Sequence, residues 1–138
     1  MIYFDTSVIV SALTNEERAV ASRSLIATTA LKASSGWVLT ELASALAFKT
    51  RIGQLERDDA LAVFSNFAQY VFPDFERYEA DFRDFSDAAQ LMLNGSRPLR
   101  SGDALHLAIV VRRGATLATL DRAFAIAARS VGVEVIEP

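Results

Sequence analysis

The stretch Ile2-Tyr3-Phe4-Asp5-Thr6-Ser7-Val8-Ile9-Val10 reads as a short buried strand that ends on an acid and passes into a helix. The arrangement recurs downstream: Trp37-Val38-Leu39-Thr40 runs into Glu41, and Thr116-Leu117-Ala118-Thr119-Leu120 runs into Asp121. Asp103 opens a further apolar, helix-like run from Ala104 to Val111. In an open parallel α/β sheet, whatever lies just past the carboxyl ends of the strands collects in one crevice. Asp5, Glu41, Asp103 and Asp121 are therefore expected to meet in space. Carboxylates side by side cannot all stay ionised without compensating charge. A hard divalent cation with oxygen ligands, Mg²⁺ or Mn²⁺, is the usual compensation. The pattern points to metal-dependent chemistry on phosphate esters.

Outward from these points, strands are expected at Ile2–Phe4, Trp37–Leu39, Thr116–Thr119 and Val133–Ile136. Helices are expected over Val8–Leu13 with Thr6 or Ser7 as cap, over residues 16–30, and over Glu41–Arg51 with Thr40 as cap and Gly53 as stop. Others are expected over 54–70 and 79–93, over 101–113 capped by Ser101 and stopped by Gly114, and over 122–130. Pro73 makes Val71–Phe75 an edge strand or a connection. Ser34-Ser35-Gly36 reads as a turn, and Asn94–Gly102 as a loop. Strands alternating with helices predict a parallel sheet with helices on both faces. The helix-rich stretch from Gln54 to Leu93 suggests a protruding helical arm, a surface for a dimer or a partner.

A chain of 138 residues is expected to form a single domain with a sizeable core. The apolar fraction of 51% against 22% charged residues excludes a disordered chain. Without cysteine there is no disulfide, thiolate site or cysteine nucleophile, which fits a reducing cytosol. No apolar run is long enough to span a bilayer, and Ile2–Leu13 is cut by Asp5 without the basic start of a signal peptide. A soluble, cytoplasmic protein is expected. The net charge of −3 and pI ≈ 5.1 exclude nucleic-acid binding by bulk electrostatics. Any such contact must use local basic residues.

Taken singly, Glu41 and Asp103 are explained as well by helix capping as by a site. Asp5 differs, because it follows a hydrophobic strand and is expected to sit deep, where an unpaired carboxylate is costly. Asp5 and Asp103 are assigned as direct metal ligands, with Glu41 and Asp121 acting through water or orienting the attacking water. Thr6, Ser7 and Thr119 are candidate supporting donors, capping and turn formation being the alternative. His106, three residues after Asp103, is favoured as a satisfied core residue over a site contact. Among Lys49, Arg51, Arg97, Arg100, Arg112 and Arg113, the loop residues Arg97 and Arg100 are the preferred phosphate contacts, with solubility an equal explanation. Asp81, Asp84 and Asp87 read as a solvated helix face. Phe64, Phe67, Tyr70, Phe72, Phe75, Phe82 and Phe85 read as core or interface.

The order of these motifs resembles that of PIN-domain nucleases, and specifically VapC-type toxins of type II toxin–antitoxin pairs. The matching segments are Ile2-Tyr3-Phe4-Asp5-Thr6-Ser7, Thr40-Glu41, Ser101-Gly102-Asp103-Ala104-Leu105-His106, Thr119-Leu120-Asp121 and the closing Gly132-Val133-Glu134-Val135. The resemblance implies a PIN-like three-layer α/β/α sandwich and an Mg²⁺- or Mn²⁺-dependent endoribonuclease acting on tRNA, rRNA or mRNA. It puts the active-site acids at Asp5, Glu41, Asp103 and Asp121, with Thr119 a polar companion. It further implies a homodimer neutralised by a small VapB-type antitoxin. A PIN-type RNA-processing nuclease without an antitoxin, and a non-catalytic protein-binding module, remain alternatives. A haloacid-type phosphohydrolase ranks low, since it needs an acid two residues after the first Asp and Ser7 stands there.

Overall fold

A computed structural model describes residues 1–95 and 98–138; Ser96 and Arg97 lie outside the described residues. Strand β1 (Ile2–Phe4) forms the centre. It pairs in parallel with β2 (Lys32–Ser34) through Ile2↔Lys32 and Tyr3↔Ala33. On its other side it pairs with β4 (Thr116–Ala118) through Tyr3↔Leu117 and Phe4↔Ala118. The edges are β3 (Glu76–Arg77) and β5 (Val135–Ile136), which gives a parallel sheet in the order β3-β2-β1-β4-β5.

Successive strand residues point to opposite faces, and here each face has its own core. Tyr3 and Leu117 pack with Leu105, Leu107 and Ile109 of α6 (Ser101–Arg113), Ala88 of α5 (Phe82–Asn94) and Phe124 of α7 (Arg122–Ser130). Phe4 and Ala118 face the other way. They pack with Val8 and Ile9 of α1 (Thr6–Leu13), with Val38 and Leu42 of α3 (Trp37–Arg51), and with Phe67, Phe72 and Phe75. Helix α2 (Ala19–Thr28) packs against α1, and α4 (Arg57–Asn66) against α3. The result is the expected three-layer α/β/α sandwich around a parallel sheet. Gly114 and Gly132 follow α6 and α7 at φ 60° and 84°, left-handed positions that side chains resist. Among the described residues no helix is long and apolar enough to cross a membrane.

Several elements differ from expectation. The second strand is Lys32–Ser34, and Trp37–Leu39 is the first turn of α3. The burial pattern explains this: Val38, Leu42 and Leu46, four residues apart, are buried, whereas Trp37 and Thr40 face out. Glu41 thus lies inside a helix and not at a strand end. Thr6 and Ser7 do not cap α1; Asp5 does. Ser101 does not cap α6, whose cap position is Arg100 without a side-chain bond. The helix expected over 54–70 ends at Asn66, followed by a π-helical turn (Phe67–Val71) and a 3₁₀ turn (Phe72–Asp74) that holds Pro73. Within the expected helical arm, α4 packs with one core and α5 with the other, and β3 lies between them.

Asp84 is not on a solvated face. It is fully buried and takes Arg112 Nε and Nη2 at 2.6 and 2.7 Å. Burial alone would raise its carboxyl, but the Arg112 bonds outweigh that and hold it below the usual range. Asp81 and Asp84 also form a capping box at the start of α5. The aromatic set divides: Phe67, Phe72 and Phe75 are core, while Tyr70, Phe82 and Phe85 are exposed.

Candidate active site

The chain leaves β1 toward β2 on one side, while β4 lies on the other. Between the carboxyl ends of β1 and β4 a crevice opens, the place where parallel α/β sheets bind ligands. Asp5 leaves β1 there, its N–H donating to Ala118 O at 3.1 Å. Its side chain is 5% exposed. Oδ1 accepts from Ser7 N at 2.9 Å, Ser7 Oγ at 2.6 Å and Val8 N at 3.3 Å, and Oδ2 accepts from Thr119 Oγ1 at 2.7 Å. Burial pushes the carboxyl up despite these donors.

Two hydroxyls knit the strand ends together. Ser7 Oγ donates to Asp5 and accepts from Leu120 N at 2.8 Å. Thr119 Oγ1 donates to Asp5 and accepts from Asp121 N at 3.0 Å. Asp121 in turn caps α7, accepting from Phe124 N at 3.0 Å. For Asp5 and Asp121 the capping and site roles coexist, because a helix N-terminus both fixes a carboxylate and favours its charge. A cavity of about 380 Å³ opens here, lined by Thr6, Ser7, Glu16, Leu120 and Asp121 among others.

Glu41 and Asp103 approach from α3 and α6, helices on opposite faces of the sheet. Glu41 Oε2 accepts from Thr6 Oγ1, and from His106 Nε2 at 2.7 Å. Burial alone would raise Glu41, but the bond and charge of His106, with donors from Thr6 and Trp37, bring it below its usual value. His106 is 1% exposed, and its Nδ1 lies 2.6 Å from the Tyr3 hydroxyl. It is a core residue, as favoured from sequence, and it also touches a site acid. The partly buried Asp103 carboxyl is raised to about 6, first by burial and then by the charges of Asp121, Asp5 and Glu41, with His106 opposing. The acids of four chain segments thus share one electrostatic field. Among the described residues, no three Asp, Glu, His or Cys side chains are grouped closely enough to hold a metal ion as they stand.

Of the basic candidates, Arg97 lies outside the described residues, and Arg100 is exposed at the start of α6. Others are engaged elsewhere. Lys49 pairs with Glu16 at 2.7 Å, Arg112 is bound to Asp84, Arg113 lies over Tyr78, and Arg51 lies over Phe48. Three participants escaped the sequence reading: Tyr3, Trp37 and Gly102. A Cβ on Gly102 would lie 2.5 Å from Glu41 Oε1 and 3.2 Å from Trp37 Nε1. The glycine beside Asp103, in the first turn of a helix where glycine is disfavoured, was the available signal.

The sequence matches a family model described as PIN domain over residues 2–130. Among solved structures, the chain is similar to FitAcB from Neisseria gonorrhoeae, with a TM-score of 0.76 and 23% identity over 100% of this chain and 98% of that one. It is similar to VapC20 of Mycobacterium tuberculosis, a sarcin-ricin loop cleaving toxin, with a TM-score of 0.73 and 17% identity over 100% of both chains. It is similar also to a toxin–antitoxin complex from Klebsiella pneumoniae, with a TM-score of 0.61 and 20% identity over 100% of this chain and 98% of that one. At these identities the likeness establishes the fold. A search of curated proteins finds no match. With the family match spanning nearly all of the sequence, this chain belongs to the PIN domain family.

Proposed function

We propose that this protein is a Mg²⁺- or Mn²⁺-dependent endoribonuclease, the toxin of a VapBC-like toxin–antitoxin pair. The observation that carries the proposal is the buried strand-end acid Asp5, bonded by Ser7 and by Thr119, which also holds the Asp121 backbone, with the charges of these acids and of Glu41 acting together with burial to raise the Asp103 carboxyl. Such a field is costly to maintain and is relieved by a cation. The donors are all carboxylates and hydroxyls, the set that Mg²⁺ and Mn²⁺ prefer, so the residues fit the group in chemical type. The structural likeness to a toxin that cleaves RNA and to a toxin–antitoxin complex supports RNA as substrate and a VapB-type antitoxin as partner. A homodimer and a cytoplasmic location accord with the same class.

Asp5 and Asp103 would hold the cation, with Glu41 and Asp121 binding its waters. When bound, the cation supplies charge against the phosphodiester oxygens and activates water for attack at neutral pH. Asp5 is fixed by Ser7, Val8 and Thr119, so its carboxylate needs no reorganisation on binding. Glu41, held ionised by His106 and Thr6, can accept a hydrogen bond from the attacking water and orient it. Arg100, exposed beside the site at the start of α6, is placed to meet a phosphate.

The test is incubation of the purified chain with total RNA, with and without Mg²⁺ or Mn²⁺, beside Asp5→Asn, with new ends mapped by sequencing. Discrete metal-dependent ends missing from the variant support the proposal. Intact RNA in the presence of metal and absence of antitoxin overturns it. Cleavage that persists in Asp5→Asn puts the active site elsewhere.

A further inference from the structure

His106 is the single histidine of the chain, and it joins two elements through one ring. Its Nδ1 lies 2.6 Å from the Tyr3 hydroxyl on β1, and its Nε2 lies 2.7 Å from Glu41 Oε2 on α3. The Tyr3 and His106 rings also meet edge to face with centroids 5.6 Å apart, which restricts rotation of the imidazole. For filling the core, an apolar side chain of similar volume would serve without the cost of burying a polar ring. Here both ring nitrogens are bonded, and one bond ends on a site acid.

The two bonds decide where the hydrogens sit. A glutamate carboxylate carries no hydrogen and only accepts, and Glu41 Oε2 lies 2.7 Å from Nε2. The hydrogen between it and the ring therefore belongs to Nε2. A ring protonated only on Nδ1 would press a lone pair against a carboxylate oxygen at 2.7 Å. The Tyr3 phenol carries its own hydrogen and can donate or accept. It donates to Nδ1 of a neutral ring, or accepts from Nδ1–H of a charged one; in both cases Nε2 stays protonated. The other Glu41 oxygen, Oε1, is bounded by Gly102, whose missing Cβ leaves the space it occupies.

We propose that Tyr3 and His106 are positioning residues: the Tyr3 hydroxyl sets the imidazole, and Nε2–H aims the Glu41 carboxylate at the acid cluster. That role rests on the nuclease function proposed above. Outer partners that orient the groups of a metal site typically matter by about 10–100-fold in activity.

Nitrogen-15 NMR of the whole protein, labelled at histidine, reads the claim without any turnover, because one histidine gives one pair of ring signals. The expected spectrum has Nε2 protonated and its hydrogen protected from exchange, and Tyr3→Phe makes the ring sample both tautomers. In RNA cleavage, His106→Leu is expected to lower kcat by about 10–100-fold with KM for RNA unchanged. His106→Gln, which keeps an N–H near the Nε2 position, is expected to recover most of that loss. A wild-type ring protonated only at Nδ1 overturns the proposal, as does a folded His106→Leu protein with wild-type kcat. Absence of cleavage by the wild-type protein overturns the nuclease function instead, and the NMR spectrum then decides the hydrogen-bond chain by itself.

Discussion

Thr119 and Asp5 stand 114 residues apart in sequence, yet Thr119 Oγ1 donates to Asp5 Oδ2 at 2.7 Å. The bond joins the ends of β4 and β1 and is the sole side-chain bond to that oxygen among the described residues. Thr119→Val keeps the shape and deletes the donor. It leaves a buried carboxylate oxygen unpaired, which costs about 1–3 kcal/mol. Denaturant unfolding is expected to show that loss, and removing a donor that now lowers the Asp5 carboxyl raises it further.

Asp103 makes a pH-dependent contribution to the stability of the metal-free protein. Its ordinary value is 3.8 and its folded value is about 6. Between the two, the folded protein holds a proton that the unfolded chain has released, so stability falls as pH rises through that window. Above about pH 6 the repulsion is complete. Asp103→Asn is expected to flatten this slope and to raise the metal-free Tm at pH 7.5 by roughly 3–5 °C, the shift that ~1 kcal/mol produces in a domain of this size. Thermal scans from pH 4 to 8 check it; a lower Tm in the variant would mean that capping outweighs repulsion.

Mg²⁺ or Mn²⁺ is expected to raise the Tm of the wild-type protein, since a ligand of the folded state stabilises it by mass action, about 2.7 kcal/mol at a hundred times Kd. Chelation with EDTA should reverse the shift. The Asp5→Asn and Asp103→Asn proteins should respond weakly or not at all. Equal shifts in all three would place the cation elsewhere on the surface.

Gly102→Ala separates function from stability. The new methyl meets the end of the Glu41 side chain at 2.5 Å, an atom that can swing away. Moving it weakens the Glu41 bonds to Thr6 and His106, which the ~0.5–1 kcal/mol gained by alanine over glycine in a helix partly offsets. Stability is therefore expected to fall modestly, while cleavage falls by about 100-fold, the scale of a ~1 Å misplacement of a catalytic group. Parallel melting curves and single-turnover RNA cleavage test both halves.

Arg112→Met is expected to do the opposite. It leaves Asp84 buried without its partner, and breaking a buried pair costs about 3–5 kcal/mol. Because the pair tethers α5 to α6 and does not touch the acid cluster, the positions of any RNA ends should stay the same at a temperature where the variant is folded.

Asp5 was legible because a carboxylate directly after Ile2-Tyr3-Phe4 has only one place to go once that run is a buried strand. Asp103 and Asp121 were legible by the same pattern of apolar runs. Glu41 entered for a mistaken reason. Trp37, Val38 and Thr40 have strand propensity, and the true strand, Lys32-Ala33-Ser34, has almost none. Its pairing with β1, a tertiary effect, overrides local preference. Asp84 was misread because its i,i+3 neighbours Asp81 and Asp87 suggest a solvated face, and nothing local reveals that Arg112 of α6 lies against it. The link from Tyr3 to His106 spans 103 residues and has no local signature at all.

The distance along the chain between those partners has a consequence during synthesis. A ribosome makes Asp5 and Glu41 early, but Thr119, which holds Asp5, and His106, which holds Glu41, come from the last third of the chain. Domains fold as units while the chain emerges, and the parallel pairing of β1 with β4 cannot begin until Thr116–Ala118 has left the exit tunnel. A nascent or prematurely terminated chain therefore carries its acids without the scaffold that assembles them. Whatever chemistry the assembled acids support is withheld until the segment through Thr119 has been made and paired.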